Sequence, residues 1–143
     1  YGPRMPLFDG QMIPDFITDA LEGRDLVIYG DENFRTSLAY VSDVVDGIVK
    51  LVRAPKDVGT VNIGSDYDVK LVDVAKRIVA LTGSSSKVVF QPPLLFMTSL
   101  GLPDLTKAKE ELAWLPLVPL EQGLKKSIEF TIATKGLIRP TLG

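Results

Sequence analysis

The chain contains no cysteine and no histidine. The first absence removes disulfide staples, thiolate zinc sites and cysteine nucleophiles; the second removes every mechanism that turns on an imidazole. Basic charge is scarce as well. Sixteen Lys and Arg stand against eighteen Asp and Glu, the formal charge is −2, and no run of cations builds a stripe, so a nucleic-acid partner is not expected. Aliphatic stretches such as Leu94-Leu95-Phe96-Met97 fall far short of the ~20 residues that span a bilayer. No membrane segment or signal peptide is expected either. The twelve glycines are scattered and none of them form G-x-G-x-x-G, while Gly64 is followed by Ser65-Asp66 rather than Lys-Ser. A phosphate-cradling loop is therefore absent. Four residues beyond Tyr1, Tyr29, Tyr40 and Tyr67 stand Met5, Asn33, Val44 and Leu71, so no helical Tyr-x-x-x-Lys pair exists to lower a tyrosine pKa. Asp31-Glu32, Asp66 with Asp68, and Glu110-Glu111 read as solvated turns and helix faces, and no metal site is expected.

What remains is the composition of one folded domain: 143 residues, 45% hydrophobic and 24% charged. Tyr1 stands where an initiator Met is usual, and Tyr1-Gly2-Pro3-Arg4-Met5 reads as the middle of a turn, so a piece of a longer chain is expected. Ile13, Phe16, Ile17, Ala20 and Leu21 share one helical face, with Pro14 near the start and Gly23 past the end. Leu26-Val27-Ile28-Tyr29, closed by Gly30-Asp31, reads as a buried strand. A polar connection through Arg35 leads to a second helix carrying Val41, Val44, Val45, Ile48, Val49 and Val52, with Ser42 as its expected cap and Pro55 as its stop. Thr60-Val61-Asn62-Ile63-Gly64 reads as a strand and turn, and a third helix follows from Leu71 to Thr82-Gly83. Lys87-Val88-Val89-Phe90 is a third strand, ended by Pro92-Pro93. Pro92 to Pro103 reads as loop or short irregular helix, and helices are expected over Thr106–Leu112 and from Leu120 to about Thr134. Strands alternating with helices predict a small α/β domain of short, partly parallel strands with about five helices.

The residues suited to an anionic ligand are few. Arg4 after a Gly-Pro turn and Arg35 between a strand end and a helix could each grip a diphosphate, or lie on the surface. Tyr29 could lie against a base or belong to the core, and Asn62 could bond a ligand or its own turn.

Read together, several segments change that balance. Tyr1-Gly2-Pro3-Arg4-Met5, the helix from Ile13 to Gly23, Leu26 to Asp31, Arg35 and Tyr40-Val41-Ser42-Asp43-Val44 resemble the C-terminal half of an extended short-chain dehydrogenase/reductase. The members concerned are the NAD-dependent sugar-nucleotide epimerases and dehydratases. Val61-Asn62-Ile63-Gly64, Leu81-Thr82-Gly83, Pro103 to Lys109 and Leu120 to Leu124 continue the resemblance in the same order, to about Phe130. Within the family, Gly-Pro-Arg-Met with Asp9-Gly10 and Pro-Asp-Leu-Thr-Lys-Ala-Lys look most like the UDP-glucuronate decarboxylases, while Met12-Ile13-Pro14 looks like the dTDP-glucose 4,6-dehydratase branch.

The resemblance implies a division of labour. An N-terminal Rossmann domain, absent from this chain, would hold NAD and the catalytic Tyr-x-x-x-Lys pair, so residues 1–143 would be a substrate-binding portion without catalytic residues of its own. Arg35 would hold the diphosphate, Ile28 and Tyr29 would flank the base, and Gln11, Ile13 and Asn62 would line the substrate side. Arg4 would stand at the junction with the cofactor. The ligand implied is a UDP- or dTDP-sugar, oxidised at C4, decarboxylated and re-reduced in the decarboxylase branch, or dehydrated or epimerised in the others. A non-catalytic binding or interaction module with the same fold is the alternative. Family members pair through the Rossmann half, so the fragment's uncovered face is expected to favour self-association. The expected location is the cytoplasm, a secretory lumen staying open because without Cys the redox argument is silent. One departure bears on affinity: the family usually carries basic residues just before Pro-Asp, one reaching the diphosphate, whereas Leu100-Gly101-Leu102 stands here. Losing such a partner costs about 1.5–3 kcal/mol, so weak binding is expected. Another is Thr36-Ser37-Leu38, where an aromatic often follows the arginine.

Overall fold

The computed structural model describes residues 1–7, 9–95 and 101–134. Among the described residues, five helices, α1 (Met12–Leu21), α2 (Val41–Val52), α3 (Leu71–Thr82), α4 (Thr106–Leu112) and α5 (Leu120–Thr134), are combined with four short strands, β1 (Leu26–Tyr29), β2 (Arg35–Ser37), β3 (Asp68–Lys70) and β4 (Val88–Gln91). The strands form two separate ribbons. β1 pairs parallel with β4, Leu26 opposite Val88, and β2 pairs antiparallel with β3, Arg35 opposite Lys70 and Ser37 opposite Asp68. The α/β class with partly parallel strands and five helices is therefore the observed architecture.

The main core follows from the periodicities. Ile13, Phe16, Ile17 and Ala20 of α1 meet Leu71, Val74, Ala75 and Ile78 of α3, and Leu124 and Ile128 of α5 close the layer. Leu26 and Ile28, alternate residues of β1, turn into this core, while Tyr29 is 43% exposed. Gly83, in the left-handed region at φ 64°, ends α3 as its place after Thr82 requires. A smaller core joins Val58, Leu105, Ala108, Leu112 and Trp114.

Three local expectations give way. Thr60–Gly64 is not a strand: Val61 and Ile63 pack on the smaller core, and the Thr60 carbonyl accepts from Lys107 Nζ at 3.0 Å, so no ladder partner is available. The polar connection at Arg35 is itself a strand, β2, because a ladder to residues 33 positions later satisfies its backbone. Ser42 does not cap α2; Tyr40 holds the N-cap position and makes no side-chain cap bond, while the Val41 amide donates to the Tyr1 carbonyl at 2.8 Å. The periodicity of α2 fixes no orientation. Its apolar stripe faces outward, with Val45 and Ile48 each 52% and Val52 79% exposed, whereas Asp43 and Gly47 are buried. Of the irregular stretch at Pro92–Pro103, residues 96–100 lie outside the described residues, as does the tail beyond Thr134.

Asp43 sets that orientation. Its Oδ2 accepts the amides of Leu117 at 3.1 Å and Val118 at 2.9 Å, and its carbonyl accepts Trp114 Nε1 at 2.9 Å. Gly47, one turn on, leaves room for the indole: a Cβ there would lie 3.0 Å from Trp114 Nε1 and 2.9 Å from Ile63 Cδ1. Asp43→Ala should therefore destabilise the chain by about 3 kcal/mol, since two amides lose a charged partner in a buried place. Because one oxygen accepts both bonds, Asp43→Asn should cost only about 1 kcal/mol. Denaturant midpoints of the two variants check this, and equal losses would contradict the geometry.

Candidate functional site

The described surface has two adjoining clefts, of about 250 and 500 Å³, which share Tyr67, Arg77 and Leu120. The smaller is framed by β2, β3 and the first half of α3, with Arg35, Lys70 and Arg77 as cations and Asp68 and Asp73 as anions. The larger runs from Leu38–Tyr40 to Pro116–Glu121 and is lined by Asp43, Asp66 and Glu121, with Arg77 as its cation among the described residues. Strand alternation produces the smaller cleft. Thr36 is buried, so its neighbours Arg35 and Ser37 point the other way, and the β3 partner Lys70 lies across from Arg35.

The charges are not equally free. Arg35 Nε donates to Asp68 Oδ2 at 2.5 Å, and Lys70 Nζ donates to Asn33 Oδ1 at 3.2 Å. Arg77 has no hydrogen-bonded or ion-paired partner among the described residues, and its charge helps to lower the Glu121 carboxyl pKa. Lys109 hydrogen-bonds Asp66 at 2.9 Å and Lys125 reaches Glu121 at 2.8 Å, and each pairing holds the carboxyl below its ordinary range. The larger cleft thus carries ionised carboxylates at neutral pH, and cationic character concentrates in the smaller one.

The residues singled out in the sequence do not all converge there. Arg35 lines the smaller cleft. Gln11 is exposed at the N-cap of α1, but Ile13 and Ile28 are core residues, 4% and 1% exposed, which leaves contact with any base to Tyr29 of that pair. Asn62 Nδ2 donates to the Asp104 carbonyl at 3.1 Å, so that side chain bonds the fold itself. Arg4, exposed and at φ 69°, borders a separate hollow of about 10 Å³ beside Ile13 and Phe130, room for one water and not for a dinucleotide. Of the Leu100-Gly101-Leu102 departure, Leu100 lies outside the described residues. Lys70, Arg77 and Tyr67 were missed because each is unremarkable in sequence; only the β2–β3 pairing brings them beside Arg35.

Comparisons with known proteins supply the context. Residues 1–64 match the NAD dependent epimerase/dehydratase family. Over 130 residues, 91% of this chain, it is 37% identical to UDP-glucuronic acid decarboxylase 1 of Xenopus tropicalis, of whose length it covers 31%. The chain thus spans about a third of that relative. Its fold superposes with TM-score 0.91 on an epimerase from Methanothermobacter thermautotrophicus, 26% identical, covering 99% of this chain and 43% of that one. A UDP-glucose 4-epimerase from Thermotoga maritima, solved with UDP-glucose, is 31% identical with TM-score 0.87, over 94% of this chain and 44% of the other.

The electrostatics carry a pH prediction. Besides Asp66 and Glu121, the Thr106 amide lowers the Asp104 carboxyl pKa and Lys56 lowers that of Glu111. A depressed carboxyl binds fewer protons folded than unfolded, so its contribution is complete above the unfolded value and is lost as pH falls through the folded one. Stability should hold level from neutral pH to about pH 5 and decline below about pH 4. The decline should be shallow, because these pairs are solvated. Urea midpoints across that range test the sign, and a rise on acidification contradicts it.

Proposed function

This chain being a relative of the NAD dependent epimerase/dehydratase proteins, we propose that it forms the nucleotide-sugar-binding portion of an enzyme of the UDP-glucuronate decarboxylase kind. The observation that carries the reading is relatedness to a UDP-glucuronic acid decarboxylase along nine-tenths of the chain, joined to a cationic cleft at Arg35. A guanidinium beside Lys70 suits a diphosphate, whose oxygens accept several N–H bonds at once. The resemblance would give Tyr29 and Gln11 to the base and sugar and Arg4 to the cofactor side, but none of the three lines the Arg35 cleft.

The described residues do not themselves form a dinucleotide site. There is no glycine-rich turn from strand to helix, and the hollow at Arg4 is too small. No redox step is therefore assigned to this chain; its residues bind and orient. The uncovered stripe of α2 supports this division, since Val41, Val45, Ile48, Val49 and Val52 form the kind of surface that a second domain buries. The covering element would be the NAD-binding half, making residues 1–143 a substrate-side unit.

Two other readings draw on particular observations. A UDP-sugar 4-epimerase is favoured by the Thermotoga maritima likeness. A non-catalytic module is favoured by the engagement of Arg35 with Asp68, which a ligand must outcompete. Calorimetric titration with UDP, dTDP, UDP-glucuronate and UDP-xylose separates them. The proposal expects saturable binding of the UDP ligands, weakened by Arg35→Ala. Preference for UDP-hexoses over UDP-glucuronate points to the epimerase, and absence of saturable binding to any of the four supports the module.

A further inference from the structure

The diphosphate reading leaves an unpaired guanidinium unexplained. Arg77 projects from the exposed side of α3 into the place where the two clefts meet, and no carboxylate among the described residues bonds it. Arg35, by contrast, has its Nε committed to Asp68 at 2.5 Å. An anion entering the smaller cleft would meet Arg77 with its donors free, Lys70 with Nζ held only by a neutral amide, and Arg35 with the remaining edge of its guanidinium. Tyr67 borders both clefts and is 66% exposed, while Tyr29 lines neither. A large aromatic left that open, in the same two clefts that Arg77 lines, offers a stacking face for a base.

We propose that Arg77, with Lys70, is the principal anchor of a nucleoside diphosphate in this cleft, and that the base stacks on Tyr67 rather than on Tyr29. The assignment takes the class of ligand from the nucleotide-sugar reading above. The site itself rests on the cleft and its charges. Arg35 then acts as a secondary cation whose contribution is limited by Asp68.

Titration of the 143-residue chain with UDP and with inorganic pyrophosphate, read by calorimetry and by amide and guanidinium NMR shifts, tests both parts. UDP should bind about tenfold more tightly than pyrophosphate, and Tyr67→Ala should erase that difference while leaving pyrophosphate affinity unchanged. Arg77→Gln should weaken both ligands about tenfold, and Arg77→Lys less so. Asp68→Asn should tighten both by freeing Arg35. Of the three positions, Tyr67 and Arg77 are exposed and Asp68 partly so, so loss of fold does not confuse the readout, and unchanged amide spectra check this. Indifference of both ligands to Arg77→Gln, dependence of the UDP advantage on Tyr29 instead of Tyr67, or equal affinity for UDP and pyrophosphate in the parent chain each overturns the assignment. UDP held by Arg77 and Tyr67 with no gain from any attached sugar sustains the site and counts against the nucleotide-sugar reading. UDP-sugars held through Arg35 and Tyr29 alone do the reverse.

Discussion

The carboxylate of Asp43 is the constraint on which the arrangement of this chain depends. It is buried with no cationic partner among the described residues, and it is tolerable there because the amides of Leu117 and Val118 both donate to one of its oxygens, while the Trp114 indole bonds the backbone carbonyl of the same residue. Those bonds fasten residues 114–118 to α2 and bring the smaller core against the same face. Gly47 and then Leu51 continue this face at intervals of four, so the row turned inward is a carboxylate, a glycine and one leucine. Helical geometry then leaves no choice for the other side. With Asp43 and Gly47 turned inward, the valines and isoleucine at positions 41, 45, 48, 49 and 52 must face out.

That inversion explains where sequence patterning works and where it stops. For α1 and α3 the apolar stripe and the buried face coincide, because each packs on elements of the same chain, and their spans and the glycine after α3 are readable from spacing alone. The α2 periodicity is just as regular and correctly predicts a helix, yet it reports what covers the helix and not which side the present core occupies. The strands divide in the same way. β1 is legible from Leu26 to Tyr29 because its alternation is bought by burial, whereas β2 is three residues, Arg-Thr-Ser, stabilised by a ladder to residues 68–70 and by a cross-strand ion pair. Propensity has no hold on such a strand. Val61 and Ile63 show the converse, a β-branched pattern whose apolar side chains find a core without any ladder.

The cleft was half legible for a related reason. A motif marks Arg35, but its charge is partly spent on Asp68, a residue opposite Ser37 in the register and 33 positions away in sequence. Arg77 carries no motif and has no hydrogen-bonded or ion-paired partner among the described residues, and it becomes significant only once α3 is packed and the β2–β3 ribbon is laid beside it. In a solvated ion pair the Coulomb gain is small, so Asp68 competes weakly with a dianion. A doubly charged diphosphate shared by two guanidiniums and an ammonium has the advantage in charge and in the number of donors.

A parallel sheet is ordinarily covered on both faces, and here α1 and α3 are the helices packed on the β1–β4 ribbon, with Tyr29 and Phe90 each 43% exposed. Two strands are also too few to hold a parallel arrangement by their own pairing. An exposed α2 stripe and a part-covered ribbon in one molecule are both apolar surfaces that the described elements leave open. A cationic cleft set on antiparallel strands and α3, whose side chains are already placed by the main core, does not need those surfaces in order to exist. Binding of the anion and covering of the apolar face are therefore separable properties: the first is set by how β2, β3 and α3 pack, and the second by how Asp43 orients α2.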